Sequence, residues 1–316
     1  MLATLSEIQS LLRSPRDRGH RLLLGWSQNI LQTAQDLDGF RYHVVEGQPV
    51  LINFSMSIVP DDWVSHITVN RSLIKTRQNL PRRIKGWLFG TARVSEQNFL
   101  KFSTYVTQTD ASVPLVLMVG AGQTGMGSDC LYDHPHITVF GFDIYPSDKT
   151  LFCADAHDIP LDDACVDGVC IQAVLEHVLD PCRVVAEIYR VLKPGGIVYA
   201  ETPFMQQVHE GAYDFTRFSE LGHRWLFRKF ESIDRGVIGG PGLSVYWSVK
   251  YLFRGLTQNR TVANILSLPF GVLALLDRFM PKSQLIDGAN GVYFLGRKGE
   301  TDFDLKQIST EYLGAQ

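Results

Sequence analysis

Three glycines near the middle of the chain, Gly120, Gly122 and Gly125, have the spacing of a ligand-binding turn. They follow an apolar run within the stretch Val116 to Gly127, and a ligand can lie against such a turn because no Cβ stands in its way. If the turn opens a helix, the unpaired N–H groups of that helix can hold an anionic ligand group. The same spacing also occurs in ordinary strand–turn–helix corners, so other residues must decide what the turn does.

Two carboxylates follow the next two predicted strands. Asp143 ends an apolar strand 23 residues after Gly120, where an acidic side chain can accept two hydrogen bonds from a ribose diol. Asp155 follows a third, short strand, and its carboxylate can accept an adenine amino group while the N–H of Ala156 meets a ring nitrogen. Taken alone, Asp155 is equally well interpreted as a turn-forming residue. The predicted cofactor-binding residues are Gly120, Ala121, Gly122, Gly125, Asp143, Ile144, Asp155, Ala156 and Gln172.

Alternating strands and helices are predicted to position these residues. Apolar runs predict strands over 114–119, 138–142, 151–154, 166–172, 197–202, 230–237 and 291–298. Helices are predicted between several of them, including 125–132 after the glycine turn and 181–192, which has Pro181 in its first turn. The alternation indicates an α/β fold, a doubly wound Rossmann-like sheet with helices on both faces. Ligands of such sheets bind beyond the carboxyl ends of the strands.

Several ordered motifs in this region resemble those of class I S-adenosylmethionine-dependent methyltransferases of type 11. They are the glycine turn, Asp143, Cys153-Ala-Asp-Ala-His-Asp-Ile-Pro, Val174-Leu-Glu-His-Val-Leu-Asp-Pro and Val191-Leu-Lys-Pro-Gly-Gly. The resemblance implies a seven-stranded sheet whose last strand, 291–298, is antiparallel. It also implies S-adenosylmethionine as the cofactor, with its methionine part on the glycine turn, its ribose on Asp143, and its adenine on Asp155 and Ala156.

Methyl transfer needs little acid–base chemistry, but a hydroxyl acceptor benefits from a base whose pKa lies near the working pH. The candidates are His177, on the predicted cleft floor after the fourth strand, and His209 and Asp214, in the loop after the fifth strand. An Asp214–Arg217 pair that fixes this loop is an equally good interpretation of Asp214. The weaker candidates are Tyr213 and His223.

The loop sequence His209-Glu-Gly-Ala-Tyr-Asp-Phe-Thr-Arg-Phe resembles a stretch in methyltransferases encoded with surface-polysaccharide or glycolipid synthesis. The resulting hypothesis is an O-methyltransferase that acts on a sugar hydroxyl of a glycan, a glycolipid or a similar small acceptor. Two alternatives stay open. An NAD(P)-dependent oxidoreductase would share the glycines and the acid after the second strand, although it does not explain the Asp155 stretch. A catalytically inactive fold that serves as a binding partner is the other.

Residues 1–60 are predicted to form a small N-terminal unit. The stretches Leu11 to Asp17 and Tyr42 to Leu51 loosely resemble a zinc-ribbon module found ahead of some methyltransferases, but its four metal cysteines are absent. We therefore predict no zinc there and no metal site elsewhere, since the five cysteines show no Cys-x-x-Cys spacing. The histidines at 134, 136 and 157 are expected in surface loops.

The other regions carry the expectations about partners. Residues 61–110 are predicted as a basic helical linker or lid, in which 71–93 is a solvated helix or, alternatively, a contact with anionic lipid. A helical insertion over 243–285 contains the uncharged stretch 261–276, expected to be buried in a core or a homodimer face or, as the second choice, to touch a membrane. Residues 301–316 form a C-terminal tail. The net charge of −3 gives no reason to expect nucleic acid, and the cysteine usage without a signal peptide favours a cytoplasmic protein.

Overall fold

The structure is a computed structural model that describes residues 1–27, 30–64, 91–109, 111–299 and 303–316. Most of the basic segment 71–93 thus lies outside the described residues. The strands are β1 (Leu23–Ser27), β2 (Ile30–Gln35), β3 (Arg41–Tyr42), β4 (Val44–Val45), β5 (Gln48–Pro49), β6 (Leu115–Val119), β7 (Thr138–Asp143), β8 (Phe152–Cys153), β9 (Val166–Gln172), β10 (Leu192–Pro203), β11 (Phe230–Gly239) and β12 (Gly291–Lys298). The α-helices are α1 (Leu5–Ile8), α2 (Thr91–Val106), α3 (Asp129–Tyr132), α4 (Pro181–Val191), α5 (Glu220–Leu226), α6 (Pro241–Thr257), α7 (Arg260–Ser267), α8 (Leu273–Leu276) and α9 (Lys282–Asp287).

A seven-stranded sheet in the order β11-β12-β10-β9-β6-β7-β8 forms the centre of the fold. The five strands from β10 to β8 are parallel, whereas β12 is antiparallel to both of its neighbours. This arrangement confirms the predicted α/β, doubly wound, Rossmann-like sheet with an antiparallel last strand. Because all parallel strands end at the same edge of the sheet, the residues predicted at four of those ends are brought together along that edge.

Both faces of the sheet are covered, as the nearly unbroken apolar sequence of the parallel strands requires. Alternate residues of β6 point to opposite faces, so that Leu117 packs in one core cluster and Met118 in another. Helix α2 covers the Met118 face with Phe99 and Phe102, which pack against Tyr199 of β10. Helix α2 therefore packs against β6, the strand that leads into the glycine turn.

The helix after the glycine turn differs from the prediction. It begins at Asp129 rather than at 125 and is only four residues long. Gly127 adopts a positive φ of 80°, and a Cβ there would lie 2.5 Å from the backbone nitrogen of Glu96 in α2. The chain must therefore pass α2 in a left-handed conformation before it can turn into a helix. The turn does not provide the helix N-terminus that the sequence predicted as an anion site.

The N-terminal residues pack directly on the sheet. The N–H of Ala3 donates to the carbonyl of Val139 at 2.8 Å, and the N–H of Leu51 donates to that of Cys153 at 2.7 Å. The apolar side chains of Ile8 and Leu12 belong to the same core cluster as Leu117. The N-terminal region thus shares a hydrophobic core with the sheet, while its zinc-ribbon resemblance stays a prediction.

The insertion before β12 is helical, as predicted, and forms a layer of helices α6 to α9. The carboxylate of Asp277 accepts hydrogen bonds from the N–H groups of Gly240, Gly242 and Leu243, and so caps the start of α6. The helical run Arg260–Phe279 is long and apolar enough to cross a membrane by length and composition alone, with a mean hydropathy of 1.5. Only 22% of its most apolar window is buried, so most of its apolar side chains face outward.

Candidate active site

The glycine turn is held against the end of the neighbouring strand. The N–H groups of Gly120 and Ala121 both donate to the carbonyl of Phe142, at 3.0 and 2.9 Å. Gly120 has a φ of 77°, and a Cβ on it would lie 2.2 Å from a methyl carbon of Val174. Any side chain at 120 would thus be strained in its backbone and would clash with the segment that follows β9.

Gly122 and Gly125 are needed because side chains of this chain approach them closely. A Cβ on Gly122 would lie 2.4 Å from the ring of Tyr145, and one on Gly125 would lie 1.8 Å from Oε1 of Gln172. The turn, the end of β7 and the end of β9 therefore meet, as predicted.

Asp143 lies at the end of β7 and ties it to the turn. The N–H of Gly122 donates to Oδ2 at 2.8 Å, and the N–H of Ile144 donates to Oδ1 at 2.7 Å. Burial raises the pKa of this carboxyl to about 6, although these backbone hydrogen bonds oppose the rise. The N–H of Tyr145 bonds to this carboxylate as well, so about one of its four or so lone-pair sites remains to accept a ribose hydroxyl.

Asp155 lies on the neighbouring strand end and is buried. Its Oδ2 accepts a hydrogen bond from Ser57, and its Oδ1 accepts one from the N–H of His157 at 2.9 Å and contacts His157 Nδ1 at 2.6 Å. Burial acts to raise the pKa of Asp155, but the hydrogen bonds from His157 and Ser57 outweigh it and hold the pKa below its ordinary value. His157 is buried, so its expected place in a surface loop is wrong. Its Nε2 accepts from the N–H of Asp180 at 3.1 Å, which leaves Nδ1 as the donor to Asp155.

Gln172 is held by a buried carboxyl that the sequence analysis missed. Its Nε2 donates to Oε2 of Glu201 at 2.6 Å and to the carbonyl of Met126 at 3.0 Å. Glu201 also accepts from Tyr199 and, at 3.1 Å, from Ser95 of α2, and burial raises its pKa. An acidic residue inside the apolar run 197–202 was the only sequence signal for it. This network joins α2, β9 and β10 directly behind the glycine turn.

The loop after β10 is fixed by an ion pair. Arg217 donates to both carboxylate oxygens of Asp214, and the N–H of His209 donates to Oδ2 at 2.9 Å. Burial works against the charge, but Arg217 and His209 prevail and lower the pKa of Asp214 to about 2. A carboxylate so stabilised is a poor base near neutral pH, and the geometry favours the structural interpretation of Asp214.

The two predicted catalytic histidines lie together over Glu176. The ring centroids of His177 and His209 are 5.0 Å apart in an edge-to-face arrangement. Nε2 of His177 is 3.6 Å, and Nε2 of His209 is 3.8 Å, from Oε1 of Glu176. Glu176 is only 1% exposed, and burial raises its pKa to about 8. Burial also lowers the pKa of His177, which favours a neutral imidazole.

Glu176 is the second residue that the sequence analysis missed. It stood inside the quoted Val174-Leu-Glu-His motif. Nothing in the sequence places it beside His209, because the two meet only through the fold.

The weaker catalytic candidates lie apart from this cluster or contribute only backbone. His223 is buried against Phe227, and burial lowers its pKa to about 3. The Tyr213 side chain is exposed, while its carbonyl accepts from His177 Nδ1 at 2.6 Å.

Comparisons with known proteins show what this domain is similar to. Residues 117–200 match the family model described as "Methyltransferase domain". Over the residues it covers, this match confirms the predicted resemblance to class I S-adenosylmethionine-dependent methyltransferases, and it agrees with the predicted cofactor. The description of the matched family names methyl transfer and not the nicotinamide alternative.

Particular relatives match only parts of the chain. A stretch of 99 residues, 31% of this chain, is 56% identical to the ubiquinone/menaquinone biosynthesis C-methyltransferase UbiE of Acidiphilium cryptum (strain JF-5), of which it covers 35%. The chain spans 35% or less of the length of the curated relatives it matches.

Solved structures resemble the chain at low identity. A phosphoethanolamine N-methyltransferase 2 of Haemonchus contortus in complex with S-adenosyl-L-methionine is 16% identical with a TM-score of 0.43, covering 73% of this chain and 60% of its own. A methyltransferase from Aquifex aeolicus is 14% identical with a TM-score of 0.41, covering 72% of this chain and 98% of its own.

The strand-end residues fit the predicted cofactor. At Gly120 the space of a Cβ is filled by Val174, so this glycine shapes the turn, and Asp143 keeps acceptor capacity beyond its backbone hydrogen bonds. Oδ2 of Asp155 accepts from Ser57 alone among the hydrogen bonds described, so a lone pair is left for an adenine amino group. These residues would hold the ribose and the adenine, while the turn would face the methionine part.

Proposed function

We propose that the protein is an S-adenosylmethionine-dependent methyltransferase that methylates a sugar hydroxyl of a glycan, a glycolipid or a related small acceptor. The observation that carries the proposal is the pair of hydrogen bonds to the Asp143 carboxylate. It accepts one from Gly122 in the glycine turn and one from Ile144 at the end of β7, inside the segment that matches the family model. S-adenosylmethionine supplies an activated methyl group. The protein must then align acceptor and cofactor and take up the acceptor's proton.

The His177–His209 pair supports a hydroxyl acceptor. The Nδ1 of His177 is engaged with the carbonyl of Tyr213, so the proton resides on Nδ1 and Nε2 is free to accept another. The neutral form favoured by burial is the form that a general base needs. The loop of His209 follows β10, on the side of the sheet where the cofactor residues lie. A hydroxyl placed at this pair would lose its proton to an imidazole as the methyl group transfers.

The proposal is tested in two steps. Calorimetric titration of the full chain should show binding of S-adenosylhomocysteine and none of NADH or NADPH. Labelled S-adenosylmethionine should then transfer its methyl group to members of a panel of sugars, glycolipids, phenols and amines, with sugars preferred. Tight cofactor binding without turnover on any acceptor would favour the alternative of an inactive fold that serves as a binding partner. Preference for an amine or a carbon acceptor would overturn the sugar assignment.

The helical insertion supports a membrane-associated acceptor. Large apolar side chains project from it into solvent, among them Leu256 at 72% and Phe279 at 84% exposure. Between residues 241 and 287 the chain carries five basic and only two acidic residues, although its net charge is −3. An apolar surface with basic residues around it suits the interface of an anionic membrane. The insertion would hold the enzyme on the cytoplasmic face of a membrane, where a glycolipid acceptor is available.

Vesicle binding tests this membrane contact. The chain should co-sediment with phosphatidylglycerol vesicles and less with phosphatidylcholine vesicles, and high salt should weaken the binding. Leu256→Asp and Phe279→Asp should abolish it, whereas Leu179→Asp, at an exposed apolar residue outside the insertion, should not. A dimer in solution that these two substitutions dissociate, without any vesicle binding, would instead make the insertion a homodimer face.

A further inference from the structure

Glu176, His177 and His209 direct electron pairs at one another. Among the described residues, neither carboxylate oxygen of Glu176 has a hydrogen-bond partner, although both oxygens are buried. One ligand atom from each of the three residues lies within 4.8 Å of the other two. Buried polar groups are normally paired, so an unpaired carboxyl between two imidazoles calls for a partner.

The hydrogen bonds of the two rings decide which nitrogens face the carboxyl. His177 Nδ1 is 2.6 Å from the carbonyl of Tyr213. His209 Nδ1 is 3.3 Å from the carbonyl of Gln207 and 3.4 Å from Oδ2 of Asp214. Since these partners can only accept, each Nδ1 carries the proton, and each Nε2 presents a lone pair. Three electron-pair donors therefore converge, and either a bound cation or a proton shared within the cluster must relieve their repulsion.

The surroundings have the features of a metal site. Metal-binding histidines typically donate their second ring N–H to a carbonyl or a carboxylate, which fixes the ring, and both histidines donate to a backbone carbonyl here. The backbone carbonyl of Glu176 accepts from the N–H groups of Phe215 and Thr216, at 2.8 and 3.3 Å, and so holds the loop beside it. Ligand bonds of about 2.0–2.2 Å place neighbouring ligand atoms about 3.3–3.6 Å apart in a tetrahedron. The observed 3.6 and 3.8 Å need only small side-chain shifts.

We propose that Glu176, His177 and His209 bind one divalent transition-metal ion, with zinc as the best match. Two imidazoles and one carboxylate form a donor set of catalytic zinc sites, in which a fourth position stays open. This assignment departs from the expectation of no metal. That expectation rested on the cysteine spacing and on histidines expected at the surface. Binding of the ion follows from this geometry alone. A role in holding the acceptor hydroxyl at the open position rests on the proposed function.

Metal binding can be measured without activity. The full chain, treated with chelator and dialysed, should bind one Zn²⁺ per chain in a calorimetric titration. Co²⁺ should bind at the same stoichiometry and give visible absorption bands that Zn²⁺ then removes. His209→Ala, in the loop, and Glu176→Gln should each weaken Zn²⁺ binding at least tenfold, whereas His136→Ala, an exposed histidine elsewhere, should leave it unchanged.

The outcomes separate the metal from the methyltransferase. A stoichiometry far below one, or binding that His209→Ala leaves intact, would overturn the site and would mean that protons fill the cluster instead. S-adenosylhomocysteine binding to the metal-free protein is measured in parallel, and we expect it to persist. If neither the metal-free nor the zinc-loaded protein binds S-adenosylhomocysteine while Zn²⁺ binding is normal, the proposed function is wrong and the metal site is retained.

Discussion

The cofactor side and the acceptor side of the proposed active site are built differently. On the cofactor side, the residues lie at or just after the ends of parallel strands, and hydrogen bonds from backbone N–H groups fix the glycine turn to β7. On the acceptor side, the residues come from a loop and a short 3₁₀ turn, held together by the Asp214–Arg217 pair and by the contacts of Glu176. The difference teaches that the cofactor residues are positioned by the ends of regular strands, whereas the acceptor residues are positioned by side-chain contacts between loops.

The largest effect should come from Gly120. Gly120→Ala places a Cβ against Val174 in a left-handed backbone, and backbone strain alone costs about 1–3 kcal/mol. Gly195 also has a positive φ, but open space surrounds it, so Gly195→Ala is a matched control for backbone strain. In urea unfolding, Gly120→Ala should lose clearly more stability than Gly195→Ala, and only Gly120→Ala should lose cofactor binding. If both variants lose the same stability and Gly120→Ala still binds the cofactor, the glycine turn is not part of the cofactor site.

The next effect concerns the ribose. Asp143→Ala removes the acceptor at the end of β7, and hydrogen bonds to charged groups contribute about 1.5–3 kcal/mol. The dissociation constant for S-adenosylhomocysteine should rise by about 10- to 100-fold per bond lost. Asp148→Ala, at an exposed acid a few residues later, should leave it unchanged. An unchanged constant in Asp143→Ala would remove this residue from the cofactor site.

On the acceptor side, His209→Ala should separate turnover from cofactor affinity. His209 belongs to the acceptor cluster whether it serves there as a base or as a ligand of the proposed metal ion. General-base catalysis contributes about 10²–10⁴-fold, and on this scale the rate on the best acceptor should fall by at least about 10²-fold. Cofactor affinity should stay intact, because His209 lies over Glu176 and not at the strand ends. A lower affinity with normal turnover would show that the two sides are not separate.

The smallest effect concerns the loop and depends on pH. The pKa of Asp214 in the folded protein is about 2, below its ordinary value, so the charged carboxylate stabilises the fold. This stabilisation is complete above about pH 4 and is lost as the pH falls toward 2. Asp214→Asn should therefore be less stable at neutral pH and should show a flatter stability profile below pH 4. Identical profiles in thermal melts would show that the Arg217 pair does not hold the loop.

Much of the fold could be predicted because hydrophobic periodicity is local. β9 and β12 have the predicted bounds, and α4 begins at Pro181 as predicted. The predicted start of the helix after the glycine turn was wrong because the approach of α2 to Gly127 sets that start, and no local pattern encodes this approach. In the same way, Glu201 and Glu176 were missed because their meaning depends on partners 29 and more residues away along the chain.

The position of the cofactor tests the central claim most directly. In a crystal structure of the full chain with S-adenosylhomocysteine, we expect a ribose hydroxyl within about 3 Å of the Asp143 carboxylate. The adenine amino group should lie beside Asp155, and the sulfur should face the Glu176–His177–His209 cluster. A ligand bound elsewhere, or an Asp143 carboxylate turned away from the ribose, would contradict the account.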